Sequence, residues 1–141
     1  MCSLRSIAAG GTACLVAMVC LARPPVSGHP IIGTWRLSTP GTTCIETWQF
    51  RADGTSRNVS GDEDTTSEYE ISDGLVHGYY VLSDTIKTSN GQPDCEGAAT
   101  PAGDKVTIYL LPTNEGGFFL CMSSNHNSCT ALMVRVMKSE S

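Results

Sequence analysis

The feature that most constrains this chain is a two-residue alternation of apolar and polar side chains that starts at residue 31. In the first segment Trp35 and Leu37 alternate with Arg36 and Ser38. An alternation with this period is typical of a β-strand that buries one face. Because no later segment has a sustained helical period, the pattern predicts an all-β domain.

Turn residues divide the alternation into short strands. Asp53-Gly54 and Asp73-Gly74 each lie between two alternating segments, where glycine allows the positive φ that tight hairpins require. The expected strands are 31–38, 44–51, 55–60, 67–72, 75–82, 85–88, 105–111, 117–122 and 130–137, with a polar connection at 61–66 and an irregular region at 90–103. These eight or nine strands, joined to their sequence neighbours, predict a small up-and-down antiparallel barrel or a curved meander of about eight strands, with a two-sheet sandwich as the alternative.

The first residues differ from the rest in being nearly uncharged. Residues 7–22 carry no charge, and this run is shorter than the roughly 20 residues that a membrane-spanning helix needs. We therefore predict a signal peptide over residues 1–28, cleaved after Gly28, followed by one domain over 29–141 that is exported to the periplasm or the medium. Cleavage after Ala22 and a lipid anchor on Cys20 are the alternatives.

Four cysteines remain after such a cleavage: Cys44, Cys95, Cys121 and Cys129. An even set of cysteines in a small exported domain is best interpreted as two disulfides. Four cysteines allow three pairings. The preferred one joins Cys121 to Cys129 across the last hairpin and Cys44 to Cys95.

The charge balance argues against polyanionic partners. Without Arg5 and Arg23, seven basic residues remain against fourteen acidic ones, and the basic residues are scattered singly. Nucleic acids and anionic membranes attract clustered lysine and arginine. We therefore expect neither nucleic-acid binding nor membrane binding, apart from the lipid-anchor alternative at Cys20.

Three motifs carry a resemblance to a known family. Gly33-Thr34-Trp35, the segment Glu46 to Phe50, and Asp53-Gly54-Thr55 together resemble the start of lipocalin-like bacterial proteins. The resemblance implies a calycin-type barrel whose base is closed by Trp35. It also implies that Arg135, in the last expected strand, packs across that tryptophan as a structural latch. A guanidinium over an indole face contributes about 0.5–2 kcal/mol.

Glu46 is the most informative candidate binding residue, because strand parity places it on the face of Trp48 and Phe50. A buried carboxylate requires a partner. Glu46 and Trp48 are expected either to line the mouth of the barrel and bind a ligand, or to belong to a structural pair between Glu46 and Arg135. A β-bulge that turns Glu46 outward is the third alternative.

His77 and Tyr79 share an expected strand face with Leu75 and Val81, which suggests a second candidate pocket. The plainer interpretation is an isolated core or surface histidine. The three histidines give none of the close spacings that zinc sites favour. The acidic run 62–64 lacks the pattern of an EF-hand, and we interpret it as a solvated hairpin tip that a basic partner could contact.

No motif for an enzyme, a metal or a cofactor is present. The segment from Cys121 to Cys129 contains His126, but a disulfide removes the thiolate that a cysteine nucleophile needs. Two hypotheses follow. The first is an exported, non-enzymatic protein that binds another protein, such as an inhibitor or immunity-type protein acting on an envelope or secreted enzyme. The alternative is a carrier of a small apolar ligand in a lipocalin-like cavity.

Overall fold

A computed structural model describes residues 28–137 of the chain. The predicted signal peptide, apart from Gly28, and the anchor alternative at Cys20 lie outside the described residues. Between residues 28 and 137 no helix is long and apolar enough to cross a membrane. The elements of this part, in chain order, are β1 Gly33–Ser38, β2 Glu46–Phe50, β3 Thr55–Ser60, β4 Glu63–Ile71, β5 Tyr80–Ser89, β6 Lys105–Pro112, β7 Phe118–Cys121, the short 3-10 helix His126–Ser128, and β8 Cys129–Arg135.

The eight strands form one closed antiparallel barrel in which each strand pairs with its sequence neighbours. Strand β1 closes the barrel by pairing with β8, which places Trp35 opposite Arg135 and Leu37 opposite Met133. The prediction of an all-β, up-and-down barrel of about eight strands is confirmed, and the sandwich alternative is wrong. The architecture is compatible with a lipocalin-like fold.

Three expected boundaries are wrong, and all bear on the site. β5 continues from Tyr80 to Ser89, so no strand ends at residue 82. The polar run 61–66 is not a loop, because Glu63 already begins β4 and Glu63 and Thr65 are buried. The expected strand 75–82 is a tight turn in its first half, where Val76 and Tyr79 form an isolated bridge. His77 adopts φ 51° in this turn, a conformation that its position in an alternating pattern does not reveal.

Large apolar side chains fill one end of the barrel. Trp35, Phe50 and Phe118 are almost fully buried there, and the rings of Trp35 and Phe118 meet edge to face with centroids 5.1 Å apart. The other buried side chains of this end include Ile31, Tyr69, Leu82, Leu110 and Met133. Complete burial of one such side chain contributes about 1.5–3 kcal/mol, so this end is the stable core of the domain.

The segment before β1 covers this filled end and forms the base of the barrel. The indole Nε1 of Trp35 donates a hydrogen bond to the carbonyl of Ile31 at 2.7 Å. His29 is buried, and its Nδ1 accepts from the amide of Ile31 at 3.1 Å. The proton of a neutral ring is therefore on Nε2, which lies 3.1 Å from the carbonyl of Ser72. These bonds attach the start of the domain to the far side of the barrel.

Arg135 packs on the same base from the outside. Its guanidinium carbon is 4.3 Å from the centroid of the Trp35 ring. The two terminal nitrogens donate to the carbonyls of Ile32 and Pro30, at 2.8 Å and 2.6 Å. Gly33 makes room for the guanidinium, since a Cβ at this position would lie 2.3 Å from Nη1. One side chain of β8 thus holds the entering segment and the core tryptophan together.

Two disulfides lie at the opposite end, and both predicted pairings are confirmed. Cys44 and Cys95, 51 residues apart, join the β1–β2 loop to the β5–β6 loop. Cys121 and Cys129 join β7 to β8 across eight residues. On a chain-entropy model the longer link destabilises the unfolded state by about 4 kcal/mol and the shorter by about 2.5 kcal/mol. Such bonds indicate an oxidising, exported environment.

The Arg135 contacts lead to a stability prediction. Arg135→Met should lower the free energy of unfolding by about 1–2 kcal/mol, because it removes the cation–π contact and two charge-assisted hydrogen bonds on an exposed surface. The measurement is equilibrium urea unfolding. Arg36→Met is the matched control, since Arg36 is an exposed arginine on the adjacent strand, and its effect should stay within about 0.5 kcal/mol. Equal effects of both changes would contradict a latch role for Arg135.

Candidate functional site

The end of the barrel opposite Trp35 is hollow and contains a cavity of about 420 Å³. The inward positions in this half carry small side chains, among them Ser56, Ser60, Thr65 and Ala131. An eight-stranded barrel is just wide enough for ordinary side chains to fill it. Short side chains at inward positions therefore leave this half of the interior empty. At the other end, aromatic residues fill the corresponding space.

The wall of the cavity is divided into a polar and an apolar side. Strands β2 to β5 contribute mainly groups that can hydrogen-bond or carry charge, whereas β6 to β8 and β1 contribute hydrocarbon. The polar side includes Glu46, Asn58, Ser60, Glu63 and Asp84, and the apolar side includes Leu37, Val106, Ile108, Leu120 and Ala131. A cavity of this kind can accommodate a molecule with one polar end and one apolar end.

Glu46 lies inside this cavity, on the side that strand parity predicts. Its Oε1 accepts hydrogen bonds from the indole Nε1 of Trp48 and from Nδ2 of Asn58, the latter at 2.9 Å. Burial, and next the nearby Asp94 carboxylate, raise the pKa of Glu46 to about 7. The hydroxyl of Ser60 opposes this by hydrogen bonding to the carboxylate, which lowers the pKa. The expected pairing with Arg135 and the outward-turning bulge are both wrong, since Glu46 has these partners within the barrel.

Two further carboxylates line the cavity from β4 and β5. Glu63 is 4% exposed and accepts from the amide of Thr100 at 2.5 Å and from its hydroxyl at 3.3 Å. Asp84 accepts from the hydroxyl of Ser56 at 3.0 Å. Burial raises the pKa of Asp84, while hydrogen bonds from serine hydroxyls oppose the shift. Glu63 was expected at a solvated hairpin tip, and that interpretation is wrong.

The mouth of the cavity is formed by loops that the first disulfide joins. Cys44 and Cys95 are both among the lining residues, together with exposed Thr42 and Glu96. The Asp94 side chain stabilises its own loop. Its Oδ1 accepts hydrogen bonds from the backbone amides of Glu96 and Ala98 at 2.8 Å and 2.9 Å. The cavity therefore meets solvent through a rim whose two main loops are covalently connected.

The charge of the lining is strongly one-sided. Glu46, Glu63, Asp84, Asp94 and Glu96 are acidic, and Arg57 is the one basic residue among the lining residues between 28 and 137. The Arg57 guanidinium is engaged elsewhere, in a two-bond pair with Asp64 at 2.6 Å and 2.9 Å. Among the described residues no group of three His, Cys, Asp or Glu side chains could hold a metal ion. The acidic side chains are thus spread around the cavity.

His77 and Tyr79 are not brought to this cavity. His77 is exposed in the β4–β5 turn, and Tyr79 packs outside the barrel against the rings of Tyr109 and His126. Within residues 28–137, the Tyr79 hydroxyl is a buried side-chain polar atom with no hydrogen-bond partner. The alternating pattern suggested a second pocket because residues 75–79 were expected to belong to a strand. These residues form a turn instead, so the two side chains do not share a strand face.

Sequence reasoning missed Glu63 and Asp84 as lining residues. Asp84 had a usable signal, since it lies two residues from both Leu82 and Ile86 and shares their inward face. The signal was hidden by the expectation that a strand ended at residue 82. The sequence carries no signal that Glu63 is buried, because an acidic run after a glycine is as typical of an exposed turn as of the start of a strand.

Comparisons with protein-family models, with curated proteins and with solved structures find no match to this chain. The fold and the geometry of the cavity are therefore the basis for any functional argument.

The position of Glu46 predicts how stability depends on pH. In the folded protein the Glu46 carboxyl has a pKa of about 7, whereas the ordinary glutamate pKa is 4.5. The folded state therefore keeps the carboxyl protonated at pH values where the unfolded state has lost the proton. Raising the pH from about 4.5 to about 7 destabilises the fold. Glu46→Gln, which stays neutral and keeps an acceptor for Trp48 and Asn58, should be about 1–2 kcal/mol more stable than wild type at pH 8, a value reduced for solvent screening. Near pH 4 the difference should vanish.

Urea unfolding at the two pH values measures this effect. Glu70→Gln is the matched control, because Glu70 is exposed on the outer face of β4. Its effect should be small at both pH values. A Glu46→Gln variant that is less stable at pH 8 than wild type would contradict the buried position of this carboxylate.

Proposed function

We propose that this protein is a non-enzymatic binding protein that carries one small amphipathic molecule inside its barrel. The cavity of about 420 Å³ is the observation that supports this proposal. Pockets that enclose organic ligands usually have volumes of about 300–1,000 Å³. The volume matches a single ligand of modest size.

Rigidity of the surroundings supports a carrier role. The base below the cavity is packed with aromatic rings, and the rim above it is cross-linked by Cys44–Cys95. A preformed site loses little conformational freedom when a ligand enters. The same cross-link leaves no free thiol at the rim, and no histidine is among the described lining residues, which favours binding over nucleophilic catalysis.

Filling the cavity tests the carrier proposal. Ala131→Phe places a ring on the inward face of β8 and should abolish binding of medium-chain amphiphiles, here octanol, octylamine and octanoate. The measurement is native mass spectrometry, in which wild type should retain one copy of at least one of the three. Leu132→Phe, on the outward face of the same strand, is the matched control and should bind as wild type does. If wild type retains none of the three probes at millimolar concentration, the carrier proposal is overturned.

A second candidate function is the binding of another protein, for example an envelope or secreted enzyme that this protein inhibits. The observation that favours it is an apolar stripe on the outer wall of β6 to β8. Phe119 pairs with Leu111 and Leu132 on neighbouring strands, and Val134 is 50% exposed beyond them. Exposed apolar patches of neighbouring side chains often mark protein contacts.

Pull-down from an envelope extract separates the two candidates. Under the second, Phe119→Ser should lose a stable partner that wild type recovers, while Ala131→Phe should keep it, because the change lies inside the barrel. Recovery of no stable partner by wild type would contradict the protein-binding candidate. Loss of the partner in Ala131→Phe alone would assign the contact to the cavity mouth instead.

A further inference from the structure

We infer that the molecule held in the barrel is an organic cation, a protonated amine on a short hydrocarbon body, with its charge at Glu46. This inference rests on the proposed carrier function and specifies the ligand class for the same cavity. The amine end would lie on the side formed by β2 to β5, and the hydrocarbon would lie against β6 to β8.

The charge of the cavity lining favours a cationic ligand. Five carboxyl side chains line the cavity, and the guanidinium of Arg57 is already paired with Asp64. A negatively charged ligand would add repulsion in a partly desolvated space, where charges interact more strongly than in water. A cationic ligand supplies positive charge that Arg57, the one basic residue of the described lining, does not provide because it is paired with Asp64.

The position of Glu46 beside Trp48 favours an ammonium group. Its carboxylate and the indole of Trp48 both line the cavity and are joined by a hydrogen bond. A carboxylate beside an aromatic ring is a favourable environment for an ammonium group, because the ring quadrupole attracts cations. The bonds from Trp48 and Asn58 go to one oxygen, Oε1, and hold the carboxylate in place.

The distribution of the acidic side chains and of the apolar surface favours an organic cation over a metal ion. Because the carboxylates do not converge on a point that could hold a metal ion in the described part of the chain, a bare metal cation is a poor match. Ile108 and Leu120 line the same cavity from β6 and β7, and Leu37 lies beside Glu46 on the paired strand β1. Their hydrocarbon surface suits the body of an organic ligand.

Binding of such a cation should depend on pH. The charged groups that act on Glu46 are Asp94 and Glu96 of the rim loop and Glu63 of β4, and Ser60 and Asn58 of β3 hydrogen-bond to it. Asp84 of β5 and the paired Arg57 of β3 also line the cavity. The inward residues of β6 to β8 carry no titratable group. Burial keeps the pKa of Glu46 near 7, so the carboxyl is mostly neutral at pH 6 and mostly ionised at pH 8. An alkylamine stays protonated over this range.

Isothermal titration calorimetry of the full folded domain with octylamine, octanol and octanoate tests the inference. Wild type at pH 8 should bind octylamine at least tenfold more tightly than octanol and should bind octanoate most weakly. Between pH 8 and pH 6 the affinity for octylamine should fall about tenfold, following the ionised fraction of Glu46, while that for octanol should not change. Glu46→Gln should lose the preference for the amine, and Glu70→Gln should keep it.

The outcomes separate this inference from the function on which it rests. If octanol binds as tightly as octylamine and Ala131→Phe abolishes both, the carrier function is supported and the amine inference is overturned. If the amine is preferred but Glu46→Gln and pH have no effect, the assignment to Glu46 is overturned. The pH series on wild type decides the question even if the Glu46 variant fails to fold. If none of the three probes binds, the carrier function is overturned.

Discussion

An eight-stranded barrel has an interior of nearly fixed width, so the side chains at inward positions decide which part of it is solid and which part is hollow. In this protein the division runs across the barrel axis. Trp35, Phe50 and Phe118 fill the base, and residues as small as Ser56 and Ala131 line the other half. The sizes of the inward side chains therefore determine both the core and the cavity. A larger or smaller inward side chain on a single strand would change how much of the interior is filled.

Different interactions stabilise the two ends of the barrel, because one end is packed with side chains and the other is hollow. At the base, hydrophobic burial and the contacts of Arg135 with Trp35 and with the carbonyls of Pro30 and Ile32 keep the entering segment in place. At the mouth there is little core to bury, and the Cys44–Cys95 disulfide connects the loops instead. A hollow end that gains little from packing can stay ordered when a covalent link restricts the unfolded chain.

Carboxylates inside a cavity have an energetic cost that the protein only partly offsets. Glu46, Glu63 and Asp84 each accept hydrogen bonds from neighbouring donors, yet the pKa values of Glu46 and Asp84 are raised because burial disfavours the charged form. A fold selected for stability alone would place apolar residues at these inward positions. Retaining acids there is consistent with a binding role, and it underlies the proposal of a cationic ligand.

The sequence by itself determined the all-β class and the up-and-down order of about eight strands. It predicted two disulfides and an inward Glu46 and Trp48, but left open the cysteine pairing and an outward bulge at Glu46. These follow from local rules, since side chains alternate every second residue along a strand and hairpins join neighbours. Only the tertiary structure decided that Glu63 and Asp84 join Glu46 around one cavity, that Arg135 has no contact with it, and that His77 lies in an exposed turn. Those facts depend on where strands begin and on the register between residues far apart in the chain, and a one-residue shift of register reverses every face.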